Sequence, residues 1–369
     1  MFTEPARILR PSLPAGRRTV VMSDIHGNLP YFDALLERLF FSRDDILILA
    51  GDFLEKGPDS LGMLRRIMQL SKEGNVYPVL GNCDEWQLIF GEGTQGDEHL
   101  RHYLTHRRHS LLGDMLGQLG YDPCSLSRIS DVFPQLQERF AAEWAFLSSL
   151  PHALETENFI FVHAGMSSEK PLDAHTVSEL TRRPAFLREG QSFPKWVVVG
   201  HWPCVLYHES YVDANPILDR EQHIVSLDGG CVLKDDGQLN ALILPDLSDP
   251  APETFSFAYY DPFPSAEVLE EQEESSSSYY IRWGDSEVQV LERGEEFSRC
   301  RHVRTGYEMD ILTKYLFTGD PVTGCNDCSD YRLPLHRGDR VDIIERTSRG
   351  FYVKHNGVSG WYLGALKEV

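Results

Sequence analysis

Short apolar runs punctuate the first two thirds of the chain, and helical periodicity fills the first gaps between them. The runs are Thr19–Met22, Ile46–Ala50, residues 76–80, Phe159–Val162, Trp196–Val199 and residues 224–227. Each is rich in Val, Ile, Leu or Phe, and most end at Gly, Asp or Asn, the pattern of buried strands. Amphipathic stretches over residues 29–41 and 60–72 separate the first three runs. Alternation of strand and helix at this spacing predicts an α/β fold.

Residues 84–150 lack a strand-like run and carry helical patterns, which predicts a helical insertion or cap on the α/β core. His99, His102, His106 and His109 recur there at helical spacing beside Arg101, Arg107 and Arg108. A solvated basic face is the expectation for them, ahead of a metal site. The run VLEEQEESSSS is acidic and serine-rich and reads as a linker. Beyond it the chain alternates short strand-like segments with the turn signals RGD, SRG and HNG, as in a small β-barrel. The expected organisation is a lead-in over 1–17, a catalytic domain over 18–265, a linker over 266–279 and a β region over 280–369, with a barrel at about 320–369.

Composition narrows the function. The chain has 369 residues, 41% hydrophobic and 25% charged, as expected of a folded protein with more than one domain. Its formal net charge of -21 makes nucleic acid or an anionic membrane an unsuitable partner. The same charge repels phosphorylated substrates, so phosphate chemistry here needs local positive charge, such as a metal centre. No run approaches the roughly 18 apolar residues of a membrane span. The amino-terminal stretch has prolines and charges where a leader needs an apolar run. Seven scattered cysteines suggest reduced thiols, and a cytoplasmic location is expected.

The candidate chemistry lies where the apolar runs stop. Asp24 and His26, Asp52, Asn82 with Cys83 and Asp84, His163, and His201 each follow a run directly. Ligands of open α/β sheets bind at the carboxyl ends of strands. Carboxylate, amide oxygen and imidazole together suit a divalent cation of borderline softness. Residues two apart on a chain leaving a strand point the same way, so Asp24 and His26 can face one ion. Asp52, with two oxygens, can bridge two ions. Any one block alone reads as an ordinary turn; five in order, all at strand ends, read as a metal site.

The blocks SDIHGN, GDFLEKGPDS, GNCDE, FVHAG and VVGHWP resemble the calcineurin-like metallophosphoesterase superfamily. The nearest branch is that of the bacterial phosphoprotein phosphatases and diadenosine tetraphosphatases. The resemblance covers about residues 18–245. It implies a four-layer αββα sandwich with a helical insertion, followed here by a C-terminal all-β appendage that is similar to an SH3-like barrel. It assigns Asp24, His26 and Asp52 to one ion and Asp52, Asn82, His163 and His201 to the other, with water between the ions as nucleophile. Manganese is the first expectation, with iron, zinc and magnesium compatible.

Two departures from the branch matter. Cys83 stands where it has a histidine that protonates the leaving oxygen, although Gly-Asn-Cys-Asp resembles a phosphodiesterase branch of the superfamily. Glu55-Lys56 replaces Asp-Arg, and lysine lacks the bidentate fork that suits phosphate. Cys83, Asp84, Glu55 and Lys56 are therefore the candidate catalytic groups. Lys56, Asn82, Arg182 and Arg183 are candidates for gripping phosphate, with Arg188 nearby. Asp228-Gly229-Gly230 reads as a turn close to the site. The expected function is phosphomonoester hydrolysis of the serine/threonine protein phosphatase type. Hydrolysis of diadenosine tetraphosphate or another nucleotide is the first alternative, and a metal- and phosphate-binding scaffold without turnover the second. The C-terminal β region could recognise a peptide through exposed aromatics, and Cys325-x-x-Cys328 reads as two free thiols rather than half a zinc site.

Overall fold

The computed structural model describes residues 3–91, 96–107, 109–122, 125–126, 128–318 and 323–368. The chain forms two compact units: Met1–Pro203 with Pro216–Leu233 and Gly237–Tyr260, and Cys204–Asn215 with Lys234–Asp236 and Asp261–Val369.

The first unit holds two mixed sheets. In one, Thr19–Met22, Ile46–Ala50 and Asn75–Val79 run parallel; Leu239–Leu244 pairs antiparallel on the free side of Thr19–Met22, and Ser256–Tyr260 closes that edge. All residues of Thr19–Met22 and Ile46–Ala50 are buried, which is why they read as continuous apolar runs. The other sheet has the order Ile8–Leu9, Ala153–Glu155, Phe159–Val162, Trp196–Val199, Ile224–Ser226, Ile217–Asp219.

Alternate residues of these strands feed different cores. Val21, Ile46 and Ile48 meet Phe159, Phe161 and Val198 between the sheets. Val20, Met22, Leu47 and Leu49 face the helices Leu29–Arg38 and Ser60–Glu73 through Phe32, Leu35, Leu64 and Ile67. The second helix starts cleanly because Asp59 accepts a hydrogen bond from the Gly62 amide at 2.7 Å. On the outer face of the second sheet, Ile160, Val162 and Val197 pack on Leu180, Phe186 and Phe193. That outer layer is thin: one five-residue helix, Val177–Thr181, and short 3-10 turns. Pro171, Pro184 and Pro194 interrupt the connection and keep a long helix from forming.

Among the described residues, five α-helices occupy the region between Asn82 and Ser149: Asn82–Gly91, Asp97–His106, Leu111–Gln118, Phe133–Arg139 and Ala141–Ser149. Their apolar faces, through Leu100, Leu104, Leu112, Met115, Leu136 and Leu147, join the core beneath the first sheet, so this region is continuous with that core. His99, His102, His106, His109, Arg101 and Arg107 are exposed, and Arg108 lies outside the described residues.

The second unit is all-β apart from two short 3-10 turns among its described residues. A six-stranded antiparallel sheet has the order Leu366–Glu368, Ser265–Val268, Arg340–Thr347, Gly350–His355, Val358–Tyr362, Val212–Asp213. A five-stranded sheet runs Glu308–Leu312, Phe297–His302, Glu287–Glu292, Thr323–Cys325, Leu316–Thr318.

Two expectations change here. The acidic stretch begins inside the six-stranded sheet: Ala266 and Val268 are wholly buried, and Gln272 donates to the carbonyls of Leu333 at 2.8 Å and Trp361 at 2.7 Å. The high charge of the run hid two apolar residues at strand spacing. Two of the aromatics expected to be exposed, Trp361 and Tyr362, are also committed inside the unit. Tyr362 is buried and its hydroxyl donates to the Glu270 carbonyl at 2.9 Å; the Trp361 indole donates to the Ser329 carbonyl at 2.7 Å. Among the described residues, no helix is long and apolar enough to cross a membrane.

Candidate metal centre

The turns leaving Thr19–Met22 and Ile46–Ala50 are laced together. The amides of Asp24, His26 and Gly27 donate to the carbonyls of Gly51, Asp52 and Phe53 at 3.0, 2.9 and 2.8 Å. Around it, side-chain-bearing residues take left-handed backbone angles: φ is 54° at Asp24, 52° at His26, 51° at Asp52, 74° at Glu55, 69° at Lys56 and 67° at His201. Each such residue costs of the order of 1 kcal/mol, and strain of this kind concentrates at functional sites. Glycine is required beside them. A Cβ on Gly51 would lie 2.6 Å from His163 Nδ1, and one on Gly200 would lie 2.0 Å from Asp24 Oδ2.

The six residues expected as ligands form a connected cluster. Nε2 of His163 is 3.4 Å from Oδ1 of Asp52 and 3.2 Å from Nδ1 of His201. Nε2 of His26 is 3.9 Å from Oδ1 of Asp24, and the His201 amide donates to Oδ2 of Asp24 at 2.9 Å. The Asn82 amide group lies between the two other imidazoles. In one orientation its oxygen is 3.1 Å from His163 Nε2; turned over, its nitrogen reaches His163 Nε2 at 3.1 Å and His201 Nδ1 at 2.8 Å. Two sets of donor atoms lie within 4.8 Å of one another, Asp24–Asp52–His163 and His26–Asp52–Cys83, and Asp52 belongs to both.

The donor set fits cations. His163 Nδ1 faces the Ala50 carbonyl at 3.0 Å and His26 Nδ1 faces that of Leu54 at 3.4 Å. Each imidazole thus points one N–H at the backbone and turns the lone pair of Nε2 toward the carboxylates. A buried space bounded by lone pairs and carboxylate oxygens is stable only with protons or cations in it. Burial pushes Asp24 up from the usual carboxylate range, and the charge of Asp52 adds to it. Burial also acts to raise Asp52, but His163, His26 and Lys56 outweigh it and hold Asp52 low. Burial brings His26 and His201 down to about 3, so both are neutral at pH 7, as metal ligands must be.

The other candidates divide. Lys56 reaches the cluster, with Nζ 3.3 Å from His26 Nε2. Cys83 reaches it too: its amide donates to Asp52 Oδ1 at 2.8 Å and burial pushes its thiol well up. Asp84 serves the backbone, accepting from the amides of Asp52 at 2.8 Å, Gly81 at 2.9 Å and Leu54 at 3.1 Å. Glu55 is committed to the helices, accepting from the Leu111 amide at 2.9 Å and from the Tyr103 hydroxyl, and burial lifts it to about 7. Arg182 is half-buried beside the cluster and donates to the Asn82 carbonyl at 3.4 Å. Arg183 pairs with Glu189 at 2.6 Å and lies over the ring of Phe186. Arg188 is exposed.

Two residues carry more than their sequence signal. Asp228, read as part of a turn, is buried; Oδ1 accepts from the Gly230 amide at 2.8 Å and Oδ2 has no hydrogen-bond partner. Tyr103, which anchors Glu55, had no signal beyond a place on an amphipathic helix.

Residues 17–229 match the family model described as calcineurin-like phosphoesterase. A symmetrical bis(5'-nucleosyl)-tetraphosphatase of Wigglesworthia glossinidia brevipalpis is 43% identical over 63 residues, 17% of this chain and 22% of that protein. The match thus spans only about a fifth of that relative. The asymmetrical bis(5'-nucleosyl)-tetraphosphatase PrpE of Oceanobacillus iheyensis is 24% identical over 232 residues, 58% of this chain and 83% of that protein. Among solved structures, a serine/threonine protein phosphatase of Saccharomyces cerevisiae overlaps with a TM-score of 0.41 at 12% identity, covering 70% of this chain and 84% of that one.

Proposed function

The chain belongs to the calcineurin-like phosphoesterase family, and from that membership we propose that it is a metal-dependent phosphoester hydrolase. Two divalent ions would be held by Asp24, His26, Asp52, Asn82, His163 and His201. The observation that carries the proposal is Asp52, whose carboxylate belongs to two overlapping sets of buried donors and so suits a bridge. Ions bound there would polarise phosphoryl oxygens and make water a nucleophile at neutral pH.

The chain's own residues set the rest. Lys56 and Arg182 bring fixed positive charge to a molecule of net charge -21, and so attract the phosphate. Protonation of the leaving oxygen is less well provided for, because Asp84 is taken up by three amides and Glu55 by Tyr103 and Leu111. Of Cys83, Asp84 and Glu55, Cys83 alone is left beside the cluster, and a buried thiol is a weak donor to an alkoxide.

Two substrate classes compete. Phosphoserine or phosphothreonine in a protein is the reading the motif blocks first suggest. A bis(5'-nucleosyl) tetraphosphate is the second, and two observations favour it. Relatives carry that activity in their names, and a phosphoanhydride leaves without needing an acid.

The test is turnover by metal-stripped protein reloaded with manganese, on p-nitrophenyl phosphate, bis-p-nitrophenyl phosphate, a phosphothreonine peptide and diadenosine tetraphosphate. Manganese-dependent hydrolysis led by the tetraphosphate supports the anhydride reading, and hydrolysis led by the peptide the phosphatase reading. Two ions bound with no turnover would leave a binding scaffold. The proposal extends to an SH3-like second unit, supported by the consecutive hairpins from Arg340 to Tyr362. Trp361 and Tyr362 are engaged internally, and nothing ties the exposed Trp283 and Phe317 to a peptide, so peptide recognition has no observation behind it.

A further inference from the structure

Cys83 sits where the family's branch has histidine, and the geometry suits its sulfur to a role other than proton donor. Its Sγ lies within 4.8 Å of donor atoms of both His26 and Asp52, and all three residues are buried. Its amide is tied to Asp52 Oδ1 at 2.8 Å, which fixes the cysteine against the carboxylate that both donor sets share. A second observation marks this side of the cluster as a place for positive charge: the Lys56 ammonium is 3.3 Å from Nε2 of His26, the lone pair left free by that ring's contact with the Leu54 carbonyl.

We propose that Cys83 is a thiolate ligand, completing with His26 and Asp52 one of the two metal positions. The inference rests on the metal-centre reading above and deepens it. On binding, the sulfur–hydrogen bond breaks, the sulfur keeps the electron pair and shares it with the ion, and the proton passes to solvent. No redox step is involved. A nitrogen, oxygen and sulfur donor set has a definite preference. Thiolate selects zinc or iron(II), whereas an all-oxygen-and-imidazole set accepts manganese or magnesium as readily. The position with Cys83, to which Asp24 also belongs with its Oδ1 3.9 Å from His26 Nε2, therefore favours zinc or iron(II), and the other, built from Asn82, His163 and His201 around Asp52, keeps the broader range. The two ions of this chain would be unlike.

The experiment is cobalt(II) titration of the metal-free full-length protein, followed by near-ultraviolet absorbance and by elemental analysis. A thiolate bound to cobalt gives a charge-transfer band that nitrogen and oxygen ligands do not. A close thiol pair elsewhere in the chain, Cys325 and Cys328 with sulfurs 4.0 Å apart, is removed by C325S/C328S. The expected result is a band in the wild type and in C325S/C328S, lost in C83S while that variant still binds cobalt. Because C83S could fail to fold, zinc-loaded C325S/C328S is also examined by X-ray absorption. One sulfur at about 2.3 Å beside nitrogen and oxygen at about 2.0–2.1 Å is expected. Cobalt bound without a band, a band that survives in C83S, or zinc without a sulfur neighbour overturns the thiolate ligand and leaves the metal centre standing. A folded wild type that binds no cobalt and no zinc overturns both.

Discussion

Nζ of Lys56 lies 3.3 Å from Nε2 of His26. The imidazole is neutral, since burial and the nearby lysine bring it down to about 3, so the ammonium is the donor and the ring the acceptor. The lone pair in this contact is the one a divalent ion would use. On the proposed metal site, lysine and ion would compete for His26, and the lysine would have to swing away when the ion binds.

Lys56→Met is expected to raise affinity for the ion at this position by at least about tenfold, or about 1.4 kcal/mol. That is a conservative share of the repulsion between close, partly buried like charges. The same variant should raise KM for any phosphate substrate. Calorimetric titration with manganese or zinc checks the first effect, and weaker binding in the variant would remove Lys56 from the competition.

Asp52→Asn should lower activity by about 100-fold or more. It should also reduce bound metal from two ions toward none, because the one carboxylate shared by both donor sets is gone. The circular dichroism spectrum should not change, as the amide oxygen can still accept from the Cys83 N–H. Full metal content with full activity would refute the bridge.

Much of this site is legible in the sequence, because each component is local. Thr19–Met22 is followed at once by Asp24 and His26, and Ile46–Ala50 by Asp52, so a buried strand announces where its terminal residues will stand. Long-range duties are not legible. Asp84 reads as an acid two residues from a ligand, yet its oxygens hold amides at Asp52 and Leu54, some thirty residues earlier. The left-handed backbone of Asp24, His26, Asp52, Glu55, Lys56 and His201 is likewise invisible, since none is glycine. Ala266 and Val268 escaped notice because a strand of four residues averages away in an acidic run.

Asp84→Ala would strand three amides without an acceptor. Loss of three buried hydrogen bonds should cost about 3 kcal/mol or more, which for a unit of this size is roughly a 10 °C fall in Tm. Thermal unfolding of the metal-free protein reads it directly. An unchanged Tm with lost activity would instead identify Asp84 as a proton donor.

Glu55 yields a pH signature. Its folded pKa, about 7, is above the ordinary 4.5, chiefly because of burial. The unfolded chain then releases this proton at lower pH than the folded one. Stability from this group is therefore intact below about pH 4.5, falls as pH rises toward 7, and is level beyond, with a span of about 3 kcal/mol. Glu55→Gln cannot ionise, so its stability should decline less than that of the wild type between pH 5 and pH 8, whatever the constant cost of the change. Parallel Tm profiles for the two proteins would count against a buried, proton-retaining Glu55.

The placement of the first long strand has a consequence for how the protein is made. Thr19–Met22 lies in the middle of its sheet, between Ile46–Ala50 and Leu239–Leu244. A chain leaving the ribosome shows one bare edge of that strand until more than two hundred further residues have been added. At about 5–20 residues per second this takes roughly 10–40 s. Throughout that interval an apolar edge is open to unwanted pairing. Asp24 and His26 stand at its end and Asp52 at the end of Ile46–Ala50, but His163 and His201 arrive only as translation passes them. Full loading of the proposed metal site would thus be a late event in the life of the nascent chain, and a holding chaperone would have most to protect before it.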